Sequence, residues 1–275
     1  MPGKSLITKQ ESSILKGEKM AGQDLLYRVE DQIAYLTINR EAQRNSISAD
    51  VVALFFKYLD EAENDQAVRA VCITGAGKKA FCAGADLGGS MTGDGQDGFQ
   101  HYADLLKRIA AFPKPTVARI NGYCLAGGTG FMLACDIVIA ADSARFGTPE
   151  VNVGLFPMMI GALIFRNVLK KKAMEMILLG EKLTADQALE MGMITRVAPA
   201  DKLDIEVGKV LQVLSQKSPI GIKLGKEAFY KTANMPFEEA VDYLSGQLKA
   251  VIATEDAKEG ITAFIEKRKP NFIGK

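Results

Sequence analysis

Ala80-Phe81-Cys82-Ala83-Gly84-Ala85-Asp86-Leu87 and, further along, Asn121-Gly122-Tyr123-Cys124-Leu125-Ala126-Gly127-Gly128 are the two stretches on which the reading of this chain turns. Each comes after a strand-like run and is built of small residues, so backbone N–H groups there can approach a ligand without side chains in the way. Two such segments held side by side can share one oxygen atom. That arrangement stabilises negative charge developing on a thioester or ester carbonyl.

The strand and helix signals around these stretches come in a regular order. Leu25 to Glu30 and Ile33 to Ile38 alternate apolar and polar residues about Asp31-Gln32, which predicts a hairpin. Ser48 caps a helix to about Glu63, with Val51, Val52, Leu54, Phe55, Tyr58 and Leu59 on one side. Val68 to Thr74 is a buried strand leading into the first Gly/Ala segment. Gly88 to Gly98, with five glycines and two aspartates, predicts a mobile loop, and Phe99 to Phe112 is helical in pattern. Pro113 and Pro115 end that helix, Thr116 to Ile120 is the next strand, Gly128 to Ala134 a helix and Ile137 to Ala140 a further strand. Strand, loop and helix thus recur in units of roughly 45 residues, as in a layered α/β core. From Gly161 onward the pattern is almost wholly helical, with Thr184 and Ser218-Pro219 as start signals and Gly192 as a stop. Phe237 to Leu248 and Glu255 to Phe264 are amphipathic terminal helices that can cover the core or a neighbouring subunit.

Composition narrows the function. The 275 residues carry 34 Lys plus Arg against 33 Asp plus Glu, without the basic excess that nucleic-acid binding requires. The longest apolar stretch, Leu155 to Phe165, is too short to span a bilayer and contains Pro157 and Gly161. Four cysteines without a C-x-x-C pair and a single histidine, His101, make a poor metal set. No metal, nucleic acid or membrane partner is expected, and free thiols fit a reducing cytoplasm. Residues 1–23 lack the apolar core of a secretory signal and are expected to form a flexible tail.

Two alternative chemistries are disfavoured by the residues themselves. Gly75-Ala76-Gly77-Lys78-Lys79-Ala80 matches a dinucleotide fingerprint, but Phe81-Cys82-Ala83-Gly84 beyond it is strand-like and turn-like where the fingerprint needs a helix, so a strand-to-strand turn is expected. Serine hydrolysis would need a G-x-S-x-G elbow, which is absent, and its only imidazole base, His101, lies on a helix after a flexible loop.

Phe81 to Leu87, Asn121 to Gly128, Cys135-Asp136-Ile137, Phe146-Gly147-Thr148-Pro149-Glu150 and Lys267-Arg268-Lys269-Pro270-Asn271-Phe272 together resemble the crotonase family of enoyl-CoA hydratases and isomerases, over residues 25–275. The resemblance implies an α/β fold, a crotonase-type spiral of repeated ββα units over 24–215. Residues 216–275 would be C-terminal helices that complete the CoA site and mediate homotrimers, often paired as dimers of trimers. It implies an acyl-CoA substrate and no separate cofactor, coenzyme A being part of the substrate. Carried across by motif, the N–H groups of Ala83 and Gly127 hold the thioester oxygen. Gly127 sits where a helix begins, so the positive helix end favours an enolate oxygen there. Ala85, Asp86 and Leu87 lie along the adenine and pantetheine, and Arg44, in Gln43-Arg44-Asn45-Ser46, matches a position near the CoA phosphates, with Ser46 beside it. Arg44 read alone is equally a solvated loop cation.

Glu150 resembles the family glutamate that exchanges a proton with the acyl α-carbon. An apolar surrounding of Val151, Val153, Leu155 and Phe156 would raise its pKa for that work, whereas the bland alternative is a carboxylate paired with an arginine. Phe156 and Met158, in Gly154-Leu155-Phe156-Pro157-Met158-Met159, form either one wall of an acyl pocket or an ordinary core stripe. Hydratases of the family carry a second glutamate three residues after the oxyanion glycine, and this chain has Gly130 there. Syn-addition of water is most simply run by two carboxylates, whereas moving a double bond from C3 to C2 needs one base. The expectation is therefore enoyl-CoA isomerase chemistry. The alternatives are a hydratase that draws a carboxylate from elsewhere, such as Asp94 or Asp97, and a non-catalytic acyl-CoA binder.

Overall fold

The structure, a computed structural model, describes residues 23–85 and 97–275. The tail expected over 1–23 falls outside this range except for Gln23, and most of the loop expected over 88–98 does too. Gly98, placed in that loop by its composition, is instead helical.

Strands β1 (Leu25–Glu30) and β2 (Ile33–Ile38) form the antiparallel hairpin. Its turn residues Asp31 and Gln32 both have positive φ (48° and 67°), the twist that matches a two-residue hairpin. Helix α1 (Ala49–Asn64) begins where the Ser48 hydroxyl accepts the Val51 N–H, and it buries Val51, Val52, Phe55, Tyr58, Leu59 and Ala62. Three strand pairs come next: β3 (Ala70–Gly75) with β4 (Ala80–Cys82), β5 (Thr116–Ile120) with β6 (Tyr123–Leu125), and β7 (Ile137–Ala141) with β8 (Arg145–Gly147). Helix α2 (Asp97–Ala110) stands after the first pair and α3 (Gly127–Ala134) after the second.

The first strand of each pair enters one sheet and the second enters another. The six-stranded sheet runs β1-β2-β3-β5-β7-β10, closed by β10 (Arg196–Ala198), and the four-stranded sheet runs β4-β6-β8-β9, closed by β9 (Leu183–Thr184). This is the spiral of ββα turns. Its repeat is uneven, which corrects the expected unit of constant length: β3 begins at Ala70, β5 at Thr116 and β7 at Ile137. The first turn is longer because it carries the fourteen-residue α2 and the segment before it, whereas α3 has eight residues.

Both faces of the larger sheet are covered, as a parallel sheet requires. Val71, Ile73, Ala118 and Ile120 face α1, α2 and α3, while Ala70, Cys72, Val117 and Ile139 face Leu203, Val207, Val210 and Leu211 of the helix spanning Leu203–Ser215. The Asn45 and Asn121 amides pin the turn between β3 and β4, donating to the carbonyls of Ala76 and Ala80 and of Gly75 and Gly77 respectively. The fingerprint-like glycines thus serve a strand-to-strand turn.

The remaining helices are α4 (Met158–Asn167), α5 (Lys170–Leu179), α6 (Ala185–Glu190), α7 (Leu203–Ser215), α8 (Pro219–Thr232), α9 (Phe237–Ala253) and α10 (Glu255–Ile265). Thr184 and Ser218 cap α6 and α8 with their hydroxyls, as their residue types predict. Asp136 ties α8 to the sheet: it accepts from Thr116 N and Oγ1 and pairs with Lys226. Buried Asp256 accepts from Ser218 Oγ, Ile273 N and Gly274 N, which folds the chain end back onto α10.

Candidate active site

Register in the smaller sheet brings the motif segments together. Cys82 pairs with Cys124 and Cys124 with Phe146, so the residues after β4, β6 and β8 leave three adjacent strands at one end. These are Ala83 to Ala85, Ala126 to Gly128 and Thr148 to Glu150. A Cβ on Gly84 would lie 2.8 Å from Ala126 Cβ and 3.7 Å from Gly127 N. The two Gly/Ala segments therefore touch.

Gly127 is the first residue of α3, and no side chain caps the helix. Ala126 before it has φ 50° and ψ −127°, a backbone conformation rare for a residue with a Cβ. Unsatisfied N–H groups and the positive end of a helix thus meet at Gly127. Ala83 is different. Its N–H donates to Arg44 O at 3.1 Å, which corrects the expectation that this amide receives a ligand oxygen. The loop after the hairpin is responsible: Ile47 N donates to Gly84 O at 2.9 Å and Ile47 bridges Ala85 in parallel. In such a ladder the bridged residue turns its own N–H to the opposite side, so Ala85 directs its amide away from Ile47.

Glu150 lies in the single-turn helix Pro149–Val153 after β8. Its carboxyl is half-buried, burial raises its pKa above the ordinary value, and Oε2 is buried with no hydrogen-bond partner. It makes no ion pair among the described residues, so the arginine-paired alternative does not hold. Thr148 Oγ1, two residues earlier, is also buried without a partner. Unsatisfied buried polar atoms are rare and concentrate where a protein does chemistry. The expected apolar jacket is only partly present: Val153, Leu155 and Phe156 are exposed in the single chain.

The other expected site residues are scattered in role. Arg44 is exposed, with φ 53°, and touches the first segment through its carbonyl rather than its guanidinium. The Ser46 hydroxyl accepts from Arg40 Nη1 at 2.9 Å and so braces the loop. Phe156 is 47% and Met158 75% exposed, which excludes the core-stripe alternative. Asp86, Leu87 and Asp94 lie outside the described residues, and Asp97 opens α2. His101 is exposed on α2. A surface cavity of about 320 Å³ lined by Leu169, Met176, Leu179 and Met191 contains none of these residues.

No sequence motif marks Tyr102, yet its hydroxyl donates to Gly127 O at 2.6 Å. Its position on the same apolar face of α2 as Leu105, Leu106 and Ile109 is the available signal that it points inward. Burial, with the charge of Glu150 among the contributors, pushes its pKa well above the ordinary phenol value.

The sequence model of the enoyl-CoA hydratase/isomerase family matches residues 28–275. The chain belongs to that family. Among enoyl-CoA hydratase/isomerase relatives, a Thermus thermophilus protein named as an enoyl-CoA hydratase is 35% identical over 246 residues, 87% of this chain and 97% of that one. The crotonyl-CoA hydratase of Syntrophomonas wolfei is 32% identical over 260 residues, 93% and 100% of the two chains. The crystal structure of an enoyl-CoA hydratase from Bacillus anthracis superposes with a TM-score of 0.88 at 30% identity, covering 92% of this chain and all of that one. The α/β spiral is therefore the crotonase fold. Among the described residues, no helix is long and apolar enough to cross a membrane.

Proposed function

We propose that this protein acts on an acyl-CoA thioester and shifts a double bond from C3 to C2, with Glu150 as its single proton shuttle. The Glu150 carboxylate takes a proton from C2, and the electron pair passes to the thioester oxygen as a dienolate. The same carboxyl returns the proton at C4, the carbonyl re-forms, and the double bond lies between C2 and C3. Gly127 N–H and, in place of Ala83, the Ala85 N–H are the donors assigned to the dienolate oxygen. Phe156 and Met158 stand as a wall of the acyl site, and Arg44 as a cation for the CoA phosphates.

The observation that carries this reading is Glu150 Oε2, buried, unpaired and at the end of the strand beside the two glycine segments. A second reading, hydration, is favoured by the names of the relatives, which are hydratases. Incubation with trans-3-enoyl-CoA and with crotonyl-CoA in heavy water separates the two. Deuterium at C2 and C4 without water addition supports the isomerase, rapid hydration supports the second reading, and no turnover on either leaves an acyl-CoA binder.

A further inference from the structure

Gly130 lies one turn after Gly127 on α3, on the same helix face. A Cβ at position 130 would stand 2.5 Å from Tyr102 Oη, 2.6 Å from Ile160 Cγ2 and 3.2 Å from Leu106 Cδ2, and one at position 127 would stand 3.3 Å from the same phenol oxygen. The Tyr102 hydroxyl is therefore wedged between the two glycines. Any side chain at 130 would begin inside it.

The phenol is held there firmly. Tyr102 is buried, its ring packs on Phe131 at 5.5 Å between centroids, and Phe131 packs on Phe55 at 5.1 Å. Its one proton is donated to Gly127 O at 2.6 Å. The other groups closing the space, Ile47, Leu106 and Ile160, are aliphatic. A water molecule needs room and two or more polar partners to reside in a protein interior; here the phenol oxygen and the Gly127 carbonyl are bonded to each other and aliphatic groups fill the rest. Neither polar group is a base, and Glu150, whose charge reaches the phenol, is already assigned to the acyl proton.

We propose that Tyr102 is the residue that sets the class of reaction: by filling the space beside Gly127 and Gly130 it keeps a water and its activating group from the acyl chain and confines the site to proton transfer. This rests on Glu150 being the proton shuttle. Ile160 Cγ2, 2.6 Å from a Cβ at position 130, must shift as well for a side chain to fit there; the phenol is the member fixed by a polar bond, and its removal gives Ile160 the room to move.

The test compares full-length wild type, Gly130→Glu, Tyr102→Ala and the double variant Tyr102→Ala/Gly130→Glu. Crotonyl-CoA hydration, the shift of a trans-3-enoyl-CoA and thermal melting are measured for each. Gly130→Glu alone is expected to melt lower and not to hydrate, because its new side chain has no room. The double variant is expected to hydrate roughly tenfold or more faster than either wild type or Gly130→Glu. The proposal is overturned if Gly130→Glu alone hydrates as well as the double variant, or if the double variant folds and does not hydrate. Should the double variant not fold, Tyr102→Ala decides. Its ratio of hydration to double-bond shift must rise above that of wild type, and an unchanged ratio overturns the proposal. Wild type that leaves trans-3-enoyl-CoA untouched defeats the isomerase reading alone, since the contrast between the variants is read on crotonyl-CoA. Rapid hydration by wild type defeats both.

Discussion

Gly84 and Gly127 meet across two turns of the spiral, so closely that a methyl group on Gly84 would lie 2.8 Å from Ala126 Cβ and 3.7 Å from the Gly127 nitrogen. Gly84 also has φ +104°, a backbone state that side chains disfavour. Gly84→Ala therefore suffers twice, with an expected loss of about 1–3 kcal/mol in stability. Turnover should fall even at temperatures where the variant is fully folded, because the two segments are pushed apart. Denaturant melts and steady-state rates check this; a variant as stable and as active as wild type would refute the contact.

Glu150→Gln keeps the size of the side chain and removes its base. Proton-transfer catalysis by a positioned group is worth about 10² to 10⁴ in rate, and the turnover loss should fall in that range. Binding of a saturated acyl-CoA, followed calorimetrically, should change little. Retained turnover would remove Glu150 from the mechanism.

The pH dependence is set by the direction of the Glu150 shift. Burial disfavours the charged form, so the folded-state pKa lies above the ordinary 4.5. The first step uses the carboxylate, and the rate should rise with pH with a midpoint above 4.5. Stability runs the other way. A raised folded-state pKa contributes stability that is full below the unfolded value and lost as pH rises through the folded one. Glu150→Gln should therefore gain melting temperature relative to wild type between pH 4.5 and neutrality, and the difference should vanish in more acid solution. A difference that is constant across this range would mean that burial does not shift the carboxyl.

Gly130→Ala sets two effects against each other. Replacing glycine within a helix gains about 1 kcal/mol. Overpacking against Tyr102 and Ile160 costs about 1–3 kcal/mol, so a net loss is expected. Adding Tyr102→Phe removes the closest atom and should recover part of the loss. A urea midpoint for Gly130→Ala raised by the full helix gain would show that the phenol yields without cost.

Helix α9 buries none of its residues in the single chain, and Phe237 and Phe264 are 77% and 85% exposed. Such an apolar surface on the last two helices calls for a partner, and we expect trimers or pairs of trimers of this chain. Light scattering should report that mass, and Phe264→Asp should lower it. A monomer at micromolar concentration would count against the assembly.

Much of the architecture can be read without coordinates because it depends on near neighbours in the chain. The Asp31-Gln32 turn, the caps at Ser48, Thr184 and Ser218, and the helix beginning at the glycines of α3 are set by the residues in or beside them. The uneven length of the spiral turns is not, since local pattern cannot tell which strand enters which sheet.

The segments that meet at the ends of β4, β6 and β8 were legible as small residues after strands, and the glutamate after Thr148-Pro149 through the resemblance to the family. Which amide points where was not. Ala83 and Ala85 are indistinguishable by composition, and their difference is imposed by Arg44 and Ile47, whose backbone takes one amide and turns the other away. The meaning of Gly130 likewise depended on Tyr102, which arrives on another helix from a different turn of the spiral. Hydrogen-bond direction and the filling of space are properties of contacts between distant parts of the chain, and only packing settles them.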